Sequence, residues 1–269
     1  MGNDAEIRRP EKIEGLRVLV TGGGTGIGLA IADALRQDGA RVCISGRNEA
    51  TLQAAKAQLG PADQHLKTMS FSVADRESCF KAIEELSADW GGVDAVVNNA
   101  GIYKYGSFIN LLPEQFEELF QTNVVGVVNL MQAVLPQMMS RRRGRIVNIA
   151  STAGKWGSVN QSAYNVSKHA LVGLTRCVAL EMAEYGITVN AVCPGLVETE
   201  MGKSLIAETA HKSGLRVDQT LDQITKTRIP MKRVIAPSEI GGLVAYMLSP
   251  GAGGMTGQSV LYDGGALQI

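Results

Sequence analysis

Short runs of β-branched and aliphatic residues alternate along the chain with longer stretches in which apolar residues recur every three or four positions. The runs predict strands at Arg17–Thr21, Ala40–Ser45, His65–Ser70, Asp94–Asn98, Arg145–Ala150, Thr188–Cys193 and Ser259–Tyr262. Most are almost continuously apolar, the pattern of strands covered by helices on both faces. The periodic stretches predict helices over Ile27–Gln37, Asn48–Leu59 with Gly60-Pro61 as stop, Arg76–Trp90 ended by Gly91-Gly92, Pro113–Met139, Ser162–Tyr185 ended by Gly186, and Pro237–Leu248. Strand and helix alternating at this spacing give right-handed crossovers and an α/β fold, a doubly wound parallel sheet of seven strands flanked by helices. Ligands in such sheets bind beyond the carboxyl ends of the strands, so the residues just after each run are the candidates for chemistry.

Composition narrows the function classes. The chain has 269 residues, 26 basic against 26 acidic side chains and 45% hydrophobic residues. With no net charge there is no overall field for nucleic acid or an anionic membrane, and neither is expected as a partner. Residues 1–12 are polar with no apolar core, so they read as an extension rather than a signal or anchor, and 13–269 as a single domain; a cytoplasmic location is expected. Cys43, Cys79, Cys177 and Cys193 form no Cys-x-x-Cys pair and read as small buried apolar residues, and His65, His169 and His211 lack metal-ligand spacing, so no metal is expected. One anomaly remains: average usage predicts about 19 glycines, and the chain has 31.

Five of them lie in Thr21–Gly28, TGGGTGIG, directly after the first strand and opening a helix. Gly22 suits the sharp turn, Gly26 lets backbone approach a pyrophosphate, and Gly28 lets the helix pack close; with Gly24, Thr25 and Ile27 they form a dinucleotide-phosphate cradle at a helix N-terminus. The spacing is G-x-x-x-G-x-G rather than G-x-G-x-x-G. Gly202-Lys203-Ser204 resembles the end of a P-loop, but Val197 stands where that motif needs its first Gly, so a nucleoside triphosphatase is rejected. After the second strand an NAD site would carry Asp or Glu; here the residues are Ser45-Gly46-Arg47-Asn48. No carboxylate would repel a 2′-phosphate and Arg47 offers a guanidinium to grip it, so NADP(H) is the expected cofactor.

Thr21–Gly28, Asn98-Asn99-Ala100-Gly101, Asn123, Ser151, Tyr164-x-x-x-Lys168, Pro194-Gly195 and Tyr262-Asp263-Gly264-Gly265 together resemble the short-chain dehydrogenase/reductase family, in order and at family spacing over nearly the whole chain. The resemblance implies a Rossmann-type fold. Arg145–Lys155, Ser167–Gly173, Gly186–Thr199 and Pro237–Ala252 are most similar to actinorhodin-type polyketide ketoreductases and to 3-oxoacyl carrier-protein reductases. Those polyketide enzymes tend to carry Pro-Gly-Gly after the NNAG motif, where this chain has Ile102-Tyr103-Lys104-Tyr105-Gly106, which leaves the substrate and the stereochemistry open.

Tyr164 and Lys168 are four apart in a helical pattern and emerge on one face. An adjacent ammonium is expected to lower the phenol's pKa, making Tyr164 a general acid for ketone reduction and a base for the reverse. Ser151 ends the fifth strand, where its hydroxyl can stabilise developing alkoxide charge. The resemblance adds that Lys168 holds the nicotinamide ribose and that Asn123 positions a water linking Lys168 to solvent. By the same matching, Asn99, Ala100 and Gly101 run along the cofactor and Ser72-Val73 meet the adenine, with Ser in place of the family's Asp. Pro194-Gly195 bend the chain, the Val197 backbone meets the carboxamide, and Thr199 touches amide or phosphate.

These residues imply an NADPH-dependent ketoreductase acting on a small-molecule or carrier-bound ketone. Two alternatives stand beside it: an NAD(P)-linked secondary-alcohol dehydrogenase, and a non-catalytic dinucleotide sensor, against which the intact Ser, Tyr and Lys set counts. Residues 200–228, mixed in polarity, occupy the family's substrate lid, and the resemblance implies a homotetramer. Arg141-Arg142-Arg143 reads as a helix C-terminus complemented by cations, with a docking patch for an acidic carrier protein as the sharper alternative.

Overall fold

The structure is a computed structural model that describes residues 13–60 and 65–269; the expected extension at residues 1–12 and Pro61 of the helix stop lie outside the described residues. Seven strands form one parallel sheet: β1 (Arg17–Thr21), β2 (Arg41–Gly46), β3 (Leu66–Ser70), β4 (Ala95–Asn98), β5 (Gly144–Ile149), β6 (Ile187–Pro194) and β7 (Ser259–Tyr262). Their order is β3-β2-β1-β4-β5-β6-β7, so the winding reverses between β1 and β4. All eight residues of β6 are buried, Thr188 and Asn190 among them, whereas edge strand β3 is only partly covered.

Helices α1 (Gly26–Gln37), α2 (Glu49–Gln58) and α9 (Pro237–Leu248) cover one face of the sheet; α3 (Arg76–Trp90), α5 (Gly126–Ser140) and α6 (Ser162–Met182) cover the other. Local chemistry sets their ends. Asn48 accepts from the Thr51 amide to open α2, Asp75 accepts from Glu77 and Ser78 amides to open α3, and left-handed Gly91 (φ 75°) closes α3. α4 (Pro113–Phe120) and α5 are joined by a π turn, Gln121–Val125, inside what the periodicity presents as one helix. That stretch, 113–140, is long and apolar enough to cross a membrane by composition, yet half of its apolar window is buried within the fold, as a core helix is. The open segment after β6 folds into α7 (Glu200–Ser213) and α8 (Val217–Arg228). Cys43, Cys79 and Cys193 are buried as expected, but Cys177 is exposed on α6.

A polar ladder fixes α6 to the sheet. Asn98 Nδ2 donates to Asn148 Oδ1 (2.8 Å), Asn148 Nδ2 to Thr175 Oγ1 (2.9 Å), and Thr175 Oγ1 to the Leu171 carbonyl (2.8 Å). Removed from water, such bonds hold their members to one arrangement, and this one sets where α6 presents its first turns.

Candidate active site

The carboxyl end of β1 delivers the glycine loop. Thr25 caps α1 without a side-chain bond, and the first turn carries no acidic residue, so the amides of Gly26, Ile27 and Gly28 face the loop with no side-chain acceptor. That is a seat for an anion. Gly22 and Gly26 have φ of +61° and +53°, and a Cβ at Gly28 would stand 2.2 Å from the Gly22 carbonyl oxygen; no larger residue fits there. Gly24 lies against Thr51 of α2, which presses the loop onto that helix. The residues present therefore fit a dinucleotide's pyrophosphate.

From β4, Asn99 and Ala100 cross over this loop. Thr21 Oγ1 accepts from both of their amides (3.0 Å each), and Asn99 Nδ2 donates to the carbonyls of Thr21 (2.9 Å) and Gly22 (3.1 Å). The Asn99 side chain thus braces the cradle rather than lying free along it. Thr21 opens the motif the sequence presents, but its role as the shared acceptor that ties β4 to the loop is seen only in the structure. Ser72 and Val73 follow β3 at the same edge; the Val73 carbonyl accepts from Asn129 Nδ2 (3.1 Å), which fixes the turn. Arg47 is exposed just past β2, and Asn48 beside it is occupied as the α2 cap.

Asn123 sits in the π turn, a distortion that often marks functional positions. Its amide brackets the backbone of Ile102, accepting from the amide (2.8 Å) and donating to the carbonyl (2.9 Å), and donates to Ser167 Oγ (3.0 Å). A Cβ on Gly101 would meet Asn123 Oδ1 at 3.2 Å and Lys168 Nζ at 3.7 Å, so Gly101, Asn123 and Lys168 converge on one point.

Ser151, at the end of β5, accepts from the Ala153 amide (3.1 Å), and its hydroxyl stands close enough to the Tyr164 phenol to favour the ionised form. Lys168 Nζ donates to the Ile149 carbonyl (2.9 Å) and lies 5.6 Å from the centre of the Tyr164 ring. Both side chains are buried, and burial dominates their titration. The phenol is pushed up to about 12 despite the nearby Ser151 hydroxyl, and the ammonium is pushed down to about 8. The expected lowering of the phenol by the lysine is therefore not what this arrangement produces; Tyr164 keeps its proton.

β6 contributes the last wall. Pro194 closes the strand, and a Cβ on Gly195 would meet Asp263 at 2.8 Å. Val197 is buried and bridges to Ile235. Thr199 caps α7 by accepting from the Gly202 amide (3.1 Å), and its methyl group lies within 3.2 Å of where a Gly26 Cβ would be. The start of the 200–228 segment is thereby seated on the phosphate cradle.

The family model for short chain dehydrogenases matches residues 17–210. The chain belongs to the short-chain dehydrogenase/reductase family. It is 39% identical to a putative ketoacyl reductase of Streptomyces coelicolor, over 92% of this chain and 95% of the relative. It is 35% identical to a 3-oxoacyl-(acyl-carrier-protein) reductase of Vibrio cholerae, over 96% and 99%. A crystal structure of an actinorhodin polyketide ketoreductase variant with NADPH superposes with a TM-score of 0.90 at 38% identity, covering 94% of this chain and 97% of that one.

In this short-chain dehydrogenase/reductase the arginine run does structural work at the opposite edge of the sheet. Arg17 binds Asp94 through both guanidinium arms (2.6 Å each), Arg143 adds a contact at 3.3 Å, and Arg141 donates to the Val93 carbonyl. Burial works against the Asp94 charge, yet the Arg17 hydrogen bonds hold its carboxyl below the usual range. These arginines stand at the N-terminal ends of β4 and β5, the full length of the sheet away from Tyr164. Their side chains bind the Val93 carbonyl, the Glu184 carbonyl and Asp94 rather than the last carbonyls of α5, so the run ties neighbouring segments together instead of complementing the helix end.

Proposed function

We propose that the chain is an NADPH-dependent ketoreductase that reduces a 3-oxoacyl, polyketide-like or related ketone, free or carrier-bound, with Tyr164 as the general acid. The observation that carries this reading is the half-buried Ser151 beside the buried Tyr164 phenol, with buried Lys168 anchored on the Ile149 carbonyl, at the strand edge next to the glycine cradle. When bound, the nicotinamide supplies the hydride. Ser151 and Tyr164 offer two hydroxyls to one carbonyl oxygen, and Tyr164 delivers its proton to that oxygen as negative charge develops there. Lys168, anchored on Ile149, places a positive charge beneath the phenol. Asn123 keeps the turn carrying Gly101 and Ile102 in place over that lysine.

The test is NADPH oxidation across a panel of ketones. No turnover with any of them while cofactor still binds tightly favours the sensor; faster alcohol oxidation than ketone reduction at neutral pH favours the dehydrogenase. Cofactor choice rests on Arg47, because β2 ends without a carboxylate and Glu49 beyond it is engaged by Gln53. Arg47→Asp is expected to raise KM for NADPH about thirtyfold, the worth of a charge-assisted phosphate contact, and to improve NADH. A wild type that already prefers NADH overturns the assignment. A homotetramer built on the central helices is supported by the exposed apolar side chains Phe120, Val166 and Leu180 on α4 and α6.

A further inference from the structure

Tyr103 lies in the tract that follows Gly101. Its ring meets the Tyr164 ring edge-on, with centroids 5.1 Å apart and planes at 82°. The two neighbouring aromatic and lid residues are accounted for: Tyr105 accepts from Asn160 Nδ2 (3.0 Å), and Lys212 of α7 donates to Asn160 Oδ1 (2.7 Å). The Tyr103 hydroxyl is different. It is buried and has no hydrogen-bond partner among the described residues. Burial, and then the charge of Glu208 on α7, hold its proton well above the ordinary phenol range. Buried hydroxyls are ordinarily bonded, and this one is a protonated donor beside the Tyr164 phenol, within electrostatic reach of Glu208 on α7.

We propose that Tyr103 is a specificity-determining residue that donates a hydrogen bond to a second, uncharged oxygen of the substrate while Tyr164 serves the ketone oxygen. A 3-oxo ester or thioester presents such an oxygen two carbons from its ketone; a simple monoketone does not. A site whose buried polar group goes unpaired with the wrong ligand discriminates strongly against it. The proposal rests on the ketoreductase reading and extends it to how the 3-oxoacyl class is recognised. Phe at this position keeps the ring and its contact with Tyr164, so the variant isolates the hydroxyl.

The experiment compares wild type and Tyr103→Phe with ethyl acetoacetate and with cyclohexanone, both with NADPH. The ester's KM should rise about tenfold in the variant, the usual cost of one lost neutral hydrogen bond to a ligand, with kcat within twofold and cyclohexanone constants unchanged. Calorimetric titration of ethyl 3-hydroxybutyrate into the NADPH-loaded protein should show the same tenfold weakening without turnover. Equal losses on both ketones, or an unchanged ester KM with unchanged alcohol binding, overturn the role of Tyr103 and leave the ketoreductase reading standing. A wild type that reduces neither ketone overturns both.

Discussion

Tyr164→Phe is expected to lower kcat for ketone reduction about a thousandfold, within the range measured for removal of a positioned general acid. NADPH affinity and melting temperature should change little, because Phe keeps the ring that Tyr103 packs against. The same burial sets which form of the phenol the site holds. With its pKa pushed up to about 12, the phenol carries its proton throughout the working range, which is the form that ketone reduction consumes. Alcohol oxidation needs phenolate, populated at about one part in ten thousand at pH 8 for a group of this pKa. The pH profile of reduction should therefore show no falling limb from Tyr164 below about pH 11. Turnover within tenfold of wild type would mean that the proton comes from elsewhere, with the Ser151 hydroxyl the nearest source.

The sheet was legible because both of its faces are covered: strands such as β1 and β6 are then rich in apolar residues on both faces, and their boundaries stand out against polar loops. The glycine loop was legible for a steric reason, since Gly28 admits no side chain at all. Four features were not. The π turn at Gln121–Val125 shifts the helix by one residue without any local breaker, so periodicity runs through it, and Asn123 is seen only as a polar residue in a helix. The break between α7 and α8 had a signal, Gly214 in the left-handed region (φ 67°), but the mixed polarity around it hid the helices on both sides. The titration of Tyr164 was misjudged because spacing on a helix says which side chains are neighbours and nothing of how much water they lose. Tyr103 was noticed as a departure from relatives, while its orphan hydroxyl needed the packing to be seen.

Lys168→Met is expected to stabilise the cofactor-free protein at pH 7 while abolishing its activity. The buried ammonium is pushed from 10.5 down to about 8 by desolvation, a shift that corresponds to about 3 kcal/mol of destabilisation while the group stays charged. Losing the bond to the Ile149 carbonyl returns about 1 kcal/mol of that, leaving a net gain of about 2 kcal/mol and a rise in Tm of about 5 °C for a chain of this size. The folded state binds fewer protons than the unfolded state between pH 8 and 10.5, so wild-type stability climbs with pH across that window. The methionine variant has no such climb. Its advantage should be fully present below pH 8 and gone by about pH 10.5, as read by thermal unfolding at a series of pH values. A variant less stable than wild type at pH 7 would mean that the Ile149 bond outweighs the desolvation of the charge. The predicted sign is what the proposed roles of Lys168 and Tyr164 require: an unfavourable buried cation is kept only where chemistry uses it.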